Sequence, residues 1–351
     1  MQREYVNVAV VGGGIYGCTI ASLLSQSIKN VSLYERNSQL LTETSMTNQY
    51  RIHRGYHYPR SVSTIHECIE SSQKFEAMYP EAVMREQINY YAIASNHSQT
   101  SPQVYLQVLE ENNLPYQVCD KTGIDLQGID LLISSTENLY DPFILRKNLL
   151  ENLNKTNVQV KCNMAFSEEM AKNYDFVIFC CYSANETFNV IRDDEKKFKF
   201  QVVEKLIIEP PSQLNFKSLV IMDGQFCCID SFGRTGKSVL GHVKHAVHEE
   251  YEASFLRKID YTKELSKSLK SRYISKKDEI LAACSNFIPD IKDAKYIDSM
   301  WSIRKVINDP KTDSRTSEVI CNEKFVSVFS GKVSSSLKCA NEVIRYINNA
   351  I

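Results

Sequence analysis

The chain has 351 residues and balances 41 Lys and Arg against 42 Asp and Glu, a formal net charge of −1. That balance excludes a nucleic-acid or other polyanion partner, and the length allows about two domains, each able to bury a core. Its eleven cysteines are scattered rather than paired at CxxC spacing, and no apolar run approaches the roughly twenty residues of a membrane span.

Taken in chain order, residues 6–11 are an apolar run that predicts a buried strand, and Gly12, Gly14 and Gly17 form GxGxxG at its end. Residues 15–27 follow with helical spacing of apolar side chains. The three glycines act differently. Gly12 permits the tight turn, Gly14 lets backbone approach a pyrophosphate, and Gly17 lets helix and strand pack closely. The pyrophosphate then meets the free amides at the helix start, next to Ile15 and Tyr16. A second strand, 31–34, leads to Glu35, eighteen residues past Gly17, near the spacing at which an acid accepts hydrogen bonds from ribose hydroxyls. A carboxylate there repels a 2′-phosphate, which disfavours NADP and leaves NAD or FAD.

Further on, residues 61–79 predict a helix and 87–94 a strand of another layer, then come a helix at 102–112 and strand pieces at 116–118 and 131–134. Asp141 and Pro142 have the N-cap and first-position pattern of a helix reaching about 153. Residues 158–161 and 176–181 read as buried parallel strands returning to the nucleotide-binding layer. Residues 198–242 alternate in strand-length pieces, predicting an antiparallel sheet, and KKFKF at 196–200 reads as a solvated loop entering it. Two helices are expected across 247–286, and the end of the chain predicts a strand at 325–329, a turn at Ser330 and Gly331, and a helix from about 335. The fold expected is α/β: a discontinuous Rossmann domain of the glutathione-reductase type (1–80, 139–197 and 300–351) and a second α+β substrate domain on an antiparallel sheet (81–138 and 198–299). Gathering a nucleotide-binding sheet from such distant pieces favours FAD over NAD.

In these patches the chain resembles the FAD-dependent D-amino acid oxidase and glycine oxidase superfamily, with the L-2-hydroxyglutarate oxidase branch nearest in flavour. GxGxxG with Glu35 and Arg36 is the first patch. The second, residues 44–61 (TSMTNQYRIHRGYHYPRS), resembles the segment that meets the pyrophosphate and runs under the flavin; Asn48, His53 and Gly55 match, and Ser45 falls in the same contact. Val158 and Val160 resemble the strand whose backbone meets adenine, and 174–178 the strand before a small-residue FAD contact, where Cys181-Tyr182 replaces Ala-Gly. MWSIRK carries Trp301 and Arg304 in a partial match to Trp-x-Gly-x-Arg. The last patch, 325–343, keeps Gly331 but has Ser336 in place of a second glycine.

The resemblance implies FAD as cofactor and amides of Lys332, Val333, Ser334 and Ser335 facing the reduced flavin. It also implies a small anionic amino- or hydroxy-acid-like substrate whose α-hydrogen leaves as hydride to flavin N5. Arg304 is then the carboxylate-gripping residue, through its planar guanidinium. His53 is a candidate orienting group, base or covalent tether, and Lys332 a candidate for flavin reduction or oxygen activation. His242 is a candidate base reaching the pocket from the end of a strand, whereas His242, His245 and His248 together read as surface histidines rather than a metal site. Tyr56, His57 and Tyr58 are read as alternating along a strand, and at least one of Arg51, Arg54 and Arg60 as meeting an anion; Arg234 is a weaker turn candidate. A larger amine or sugar-derived substrate, or a non-catalytic FAD-binding subunit, are the alternative functions. A cytoplasmic, reduced-thiol protein is expected.

Overall fold

The computed structural model describes residues 3–120, 123–187, 198–260, 262–307, 311–312 and 314–351. Lys196 and Lys197 of the KKFKF stretch lie outside them. A six-stranded sheet runs in the order Glu318–Asn322, Phe325–Phe329, Phe176–Phe179, Arg3–Val11, Ile28–Tyr34, Gln159–Lys161. Every neighbouring pair is parallel except the first. Its central strands are apolar because both faces are covered. Val8 and Val10 enter a core under the helices Ile15–Leu24, Pro142–Asn154 and Ser336–Ala350, and Ala9 and Val11 enter a separate core with Phe166 and Phe179.

The second layer is a nine-stranded sheet centred on two long strands, Phe198–Glu209 and Lys295–Ile307, which pair antiparallel along their whole length. It is mixed rather than purely antiparallel, since Lys217–Met222 runs parallel to Ile88–Ala94. A three-stranded sheet, Arg51–Ile52, Asn138–Tyr140 and Val83–Met84, completes the set.

Three further expectations need correction. Residues Val247–Ala253 form a strand against Phe198–Glu209, and the helices are Leu265–Arg272 and Lys277–Ser285. The charged sequence VHEEYEA hid a strand that is only partly buried, on which the usual apolar alternation is weak. The stretch holding Trp301 and Arg304 belongs to the large sheet, not to the nucleotide sheet. Residues 56–58 turn instead of extending, so the neighbours His57 and Tyr58 share a wall. The Asp141 cap forms as read: its Oδ1 accepts from Phe143 N at 2.9 Å and Ile144 N at 3.1 Å, and its Oδ2 accepts from Arg234 N at 2.9 Å.

Candidate active site

The glycine loop lies where strand Arg3–Val11 passes into helix Ile15–Leu24. Gly12 sits at φ +104°, and a Cβ there would lie 2.6 Å from the carbonyl oxygen of Cys180; one on Gly17 would lie 1.8 Å from that of Gly12. Only glycine admits this approach. Gly14 caps the helix without a side chain, and no acid occupies the first turn, so the dipole end opens onto a groove. Ser45 Oγ accepts from Ile15 N at 3.2 Å at its edge. Glu35 lines the groove, receiving Gly13 N on one oxygen and Asn37 N on the other, each at 2.8 Å. Each oxygen keeps acceptor capacity for a hydroxyl. Burial, the largest influence on it, raises the Glu35 carboxyl above its ordinary range. Arg36 and Cys181 border the same groove, with a volume of about 120 Å³, and Met164, Ala165 and Phe166 wall it. Val160 stands on the neighbouring edge strand, 44% exposed, outside the groove lining.

Tyr182 joins this groove to a second space of about 470 Å³, because it lines both. It occupies φ +54°, the left-handed region that favours glycine, at the point where the family pattern has one. Its hydroxyl donates to Lys305 O and accepts from Lys305 N, both at 3.2 Å, which ties the nucleotide sheet to the large sheet. The larger cavity is walled by His57, Tyr58, Arg60, Gln201, Arg304 and Lys332, among others, with Gly331 beside them. Arg304 Nε and Nη2 both donate to Gln201 Oε1, at 2.9 and 2.6 Å, presenting the guanidinium edge within the wall. Strand alternation puts Trp301 on the opposite face, packed against His248 and Tyr273, so it does not accompany Arg304. Arg60 pairs with Asp223 at 2.7 Å. Lys332 touches the Tyr58 hydroxyl, and burial pushes its ammonium down to about 7.

The remaining candidates scatter. His53 lies behind the cavity wall, its ring 5.6 Å from that of His57 and 5.4 Å from that of Tyr58, and burial pushes it down to about 4. His242 does not reach the cavity lining; its Nδ1 accepts from Lys244 N and His245 N, at 3.2 and 3.3 Å, closing the turn. His245 faces Glu279 and His248 faces Glu204, and among the described residues no group of three His, Cys, Asp or Glu could hold a metal. Asn48 is structural: its Oδ1 accepts from Tyr50 N at 2.6 Å and from the Tyr140 hydroxyl at 3.0 Å. In the last turn, Tyr16 donates to Lys332 O and Ser335 Oγ donates to Glu67 at 2.8 Å. Val333 lies in the same turn, and Glu67, which no motif announced, also takes Lys338 at 2.7 Å. Eleven free cysteines include six that are buried, and no helix among the described residues is long and apolar enough to cross a membrane.

A parallel sheet gathered from distant stretches, with a glycine loop, a ribose-facing acid and a cavity shared with a second sheet, defines an FAD-type dinucleotide-binding oxidoreductase fold. Residues 7–170 match the DAO family model, FAD dependent oxidoreductase. The FAD-dependent monooxygenase kojA of Aspergillus flavus is 26% identical over 380 residues, covering 98% of this chain and 86% of that protein. L-alpha-glycerophosphate oxidase from Mycoplasma pneumoniae, solved with FAD bound, has the same fold at a TM-score of 0.72 and 17% identity, over 97% of this chain and 94% of that one. Glycine oxidase from Geobacillus kaustophilus follows at 0.70 and 11%, over 98% and 94%. The cofactor is FAD. The chain's own polar groups fit it: the glycine loop offers amides to a pyrophosphate, and His57 Nδ1, Ser334 Oγ and Ser336 Oγ are buried without a hydrogen-bond partner in the protein.

Proposed function

We propose that the protein oxidises a CH–NH or CH–OH group next to a carboxylate on a small anionic substrate, an amino acid or a 2-hydroxy acid of the kind the L-2-hydroxyglutarate oxidase likeness implies. The observation that carries this reading is the guanidinium of Arg304 in the wall of a cavity that meets the nucleotide groove at Tyr182. Bound FAD supplies the oxidising power, accepting the α-hydrogen with its electron pair.

Gly12, Gly14, Ile15, Ser45 and Glu35 hold the nucleotide end, while Cys181, Gly331 and Lys332 border the way to the ring. The substrate carboxylate replaces Gln201 Oε1 on the Nε edge of Arg304, a fork matched to a planar anion. Lys332 adds positive potential on the same wall when its ammonium is charged, favouring anionic substrates over neutral ones, whereas Arg60 is balanced by Asp223. A substrate that fills the cavity displaces water and so strengthens these interactions. His53 is a proton acceptor in the alcohol case.

Purified protein incubated with FAD should be yellow, and its spectrum should bleach anaerobically with D-amino acids, glycine derivatives or 2-hydroxy acids. A colourless protein that takes up no FAD contradicts the assignment, and bound FAD that none of these compounds bleaches contradicts the substrate class. A second reading, oxygen insertion into an organic substrate, draws support from the fungal relative named a monooxygenase. It predicts a product heavier by one oxygen, whereas oxidation of the α-carbon yields a keto acid.

A further inference from the structure

Behind the cavity wall lies a cluster of ionisable side chains, Glu137, Arg51 and Asp230, that the oxidation site does not use. Glu137 is at its centre, 1% exposed, with no part in any motif. Its Oε1 receives the Tyr91 hydroxyl at 2.7 Å and Arg51 Nη1 at 3.1 Å, and its Oε2 receives the backbone amide of Arg54 at 2.8 Å. Arg51 is locked in turn by Asp230 at 2.7 Å and by Ser218, with its guanidinium 5.1 Å over the Tyr91 ring. Both carboxylates and the guanidinium are almost wholly removed from water. Such burial costs several kcal/mol per ion before compensation, and well-packed apolar side chains commonly serve stability as well. Keeping Glu137 charged there needs a further reason.

The imidazole nearest Glu137 is that of His53, whose Nδ1 lies 3.4 Å from Oε1. This is long for a hydrogen bond, as such contacts commonly are before substrate closes a site. On its other sides His53 meets the rings of His57 and Tyr58, both of which line the cavity, and feels the charges of Lys332 and Arg51.

We propose that Glu137 is a positioning residue: it takes the Nδ1–H of His53, fixes that tautomer, and leaves Nε2 bare to receive, by way of the cavity-lining His57 and Tyr58 that its ring meets, the proton released when a substrate in the cavity is oxidised. This rests on the proposed oxidation. A CH–OH carbon becoming a carbonyl loses its α-hydrogen with an electron pair, which the family's FAD takes up, and its hydroxyl proton, which the protein must accept. The bare Nε2 of His53 gains that proton, and the imidazolium so formed is balanced by the adjacent carboxylate. Arg51, itself held by Asp230, keeps that carboxylate ionised and fixed, since a protonated Glu137 could neither accept from Nδ1 nor balance the charge.

The test uses full-length protein with FAD and 15N-labelled histidine. Among seven histidines, the His53 signal is identified by its loss in His53→Asn. At pH 7 nitrogen shifts should report Nδ1 protonated and Nε2 bare. A signal from the opposite tautomer, or an even mixture of the two, overturns the proposal, and this reading needs no substrate and no altered Glu137. In Glu137→Gln the tautomer preference should collapse. Anaerobic bleaching by a 2-hydroxy acid should slow at least tenfold with KM nearly unchanged, and its acid limb should move to lower pH because a charge that favours imidazolium is gone. An unshifted acid limb overturns the proposal. If no substrate bleaches the flavin while the tautomer is as stated, the oxidation reading fails and the role of Glu137 in holding His53 stands.

Discussion

At the scale of single residues, the site separates groups that a motif exposes from groups that only long-range contact assembles. MWSIRK resembles a known substrate-binding pattern and its Arg304 stands in the cavity wall, yet Trp301, its companion in that pattern, faces away, because residues an odd number apart on a strand lie on opposite faces. Glu137 was invisible: its partners Arg51 and Tyr91 are 86 and 46 residues away, and no local spacing encodes them. If Arg304 grips the carboxylate, Arg304→Ala should raise substrate KM about ten- to hundred-fold, the effect of losing charge-assisted hydrogen bonds of about 1.5–3 kcal/mol. Steady-state kinetics on FAD-loaded protein measure it, and an unchanged KM removes Arg304 from that role. The buried histidines bear on stability in a stated window. Burial lowers His53 and His242 from 6.5 to about 4, so above pH 6.5 they are neutral in both the folded and unfolded chain. As pH falls towards 4 the unfolded chain takes up the protons first, and each histidine removes up to about 1.4 kcal/mol of stability per pH unit. Glu137, lowered to about 2 despite its burial, chiefly by His53 and Arg51, loses its contribution only below 4.5. Denaturant unfolding at pH 7, 5.5 and 4.5 should therefore show stability falling before carboxylates titrate, with a shallower fall in His242→Gln.

At the scale of elements, the first thirty-five residues carried most of the fold because a strand, a glycine turn, a helix and an acid can each be read locally. Gly17 shows why the glycines are needed. A Cβ there would stand 1.8 Å from the carbonyl oxygen of Gly12, and backbone cannot swing aside as a flexible side chain can. Gly17→Ala should lower the thermal midpoint of the apoprotein by several degrees and weaken FAD binding with it, measured by scanning calorimetry and by flavin titration; a midpoint within one degree of the parent contradicts the close packing described. Strand Val247–Ala253 was less legible, since charge on both faces of a partly exposed strand removes the period-two signal. The turn at 55–58 is hard to read in the sequence for a different reason: Gly55 takes φ +115°, and a single left-handed residue redirects the chain without altering its composition.

At the scale of the whole molecule, two sheets share one cavity, and the chain crosses between them several times to build it. The nucleotide sheet supplies the glycine loop and Tyr182, the large sheet supplies Gln201 and Arg304, and the turn after strand Phe325–Phe329 supplies Gly331 and Lys332. Function therefore belongs to the junction, where substitutions in either layer meet, and the departure from the family pattern at Tyr182 lies on it. Because pocket side chains rather than the fold determine specificity, the substrate class must be read from that junction. The most direct measurement is the anaerobic absorbance spectrum of the FAD-loaded protein, recorded before and after addition of amino acids and 2-hydroxy acids, beside their neutral amides and esters. The account predicts loss of the oxidised flavin band with a carboxylate substrate, and loss at least tenfold slower with the matching neutral compound. Equal bleaching by both, or bleaching by neither, would contradict it.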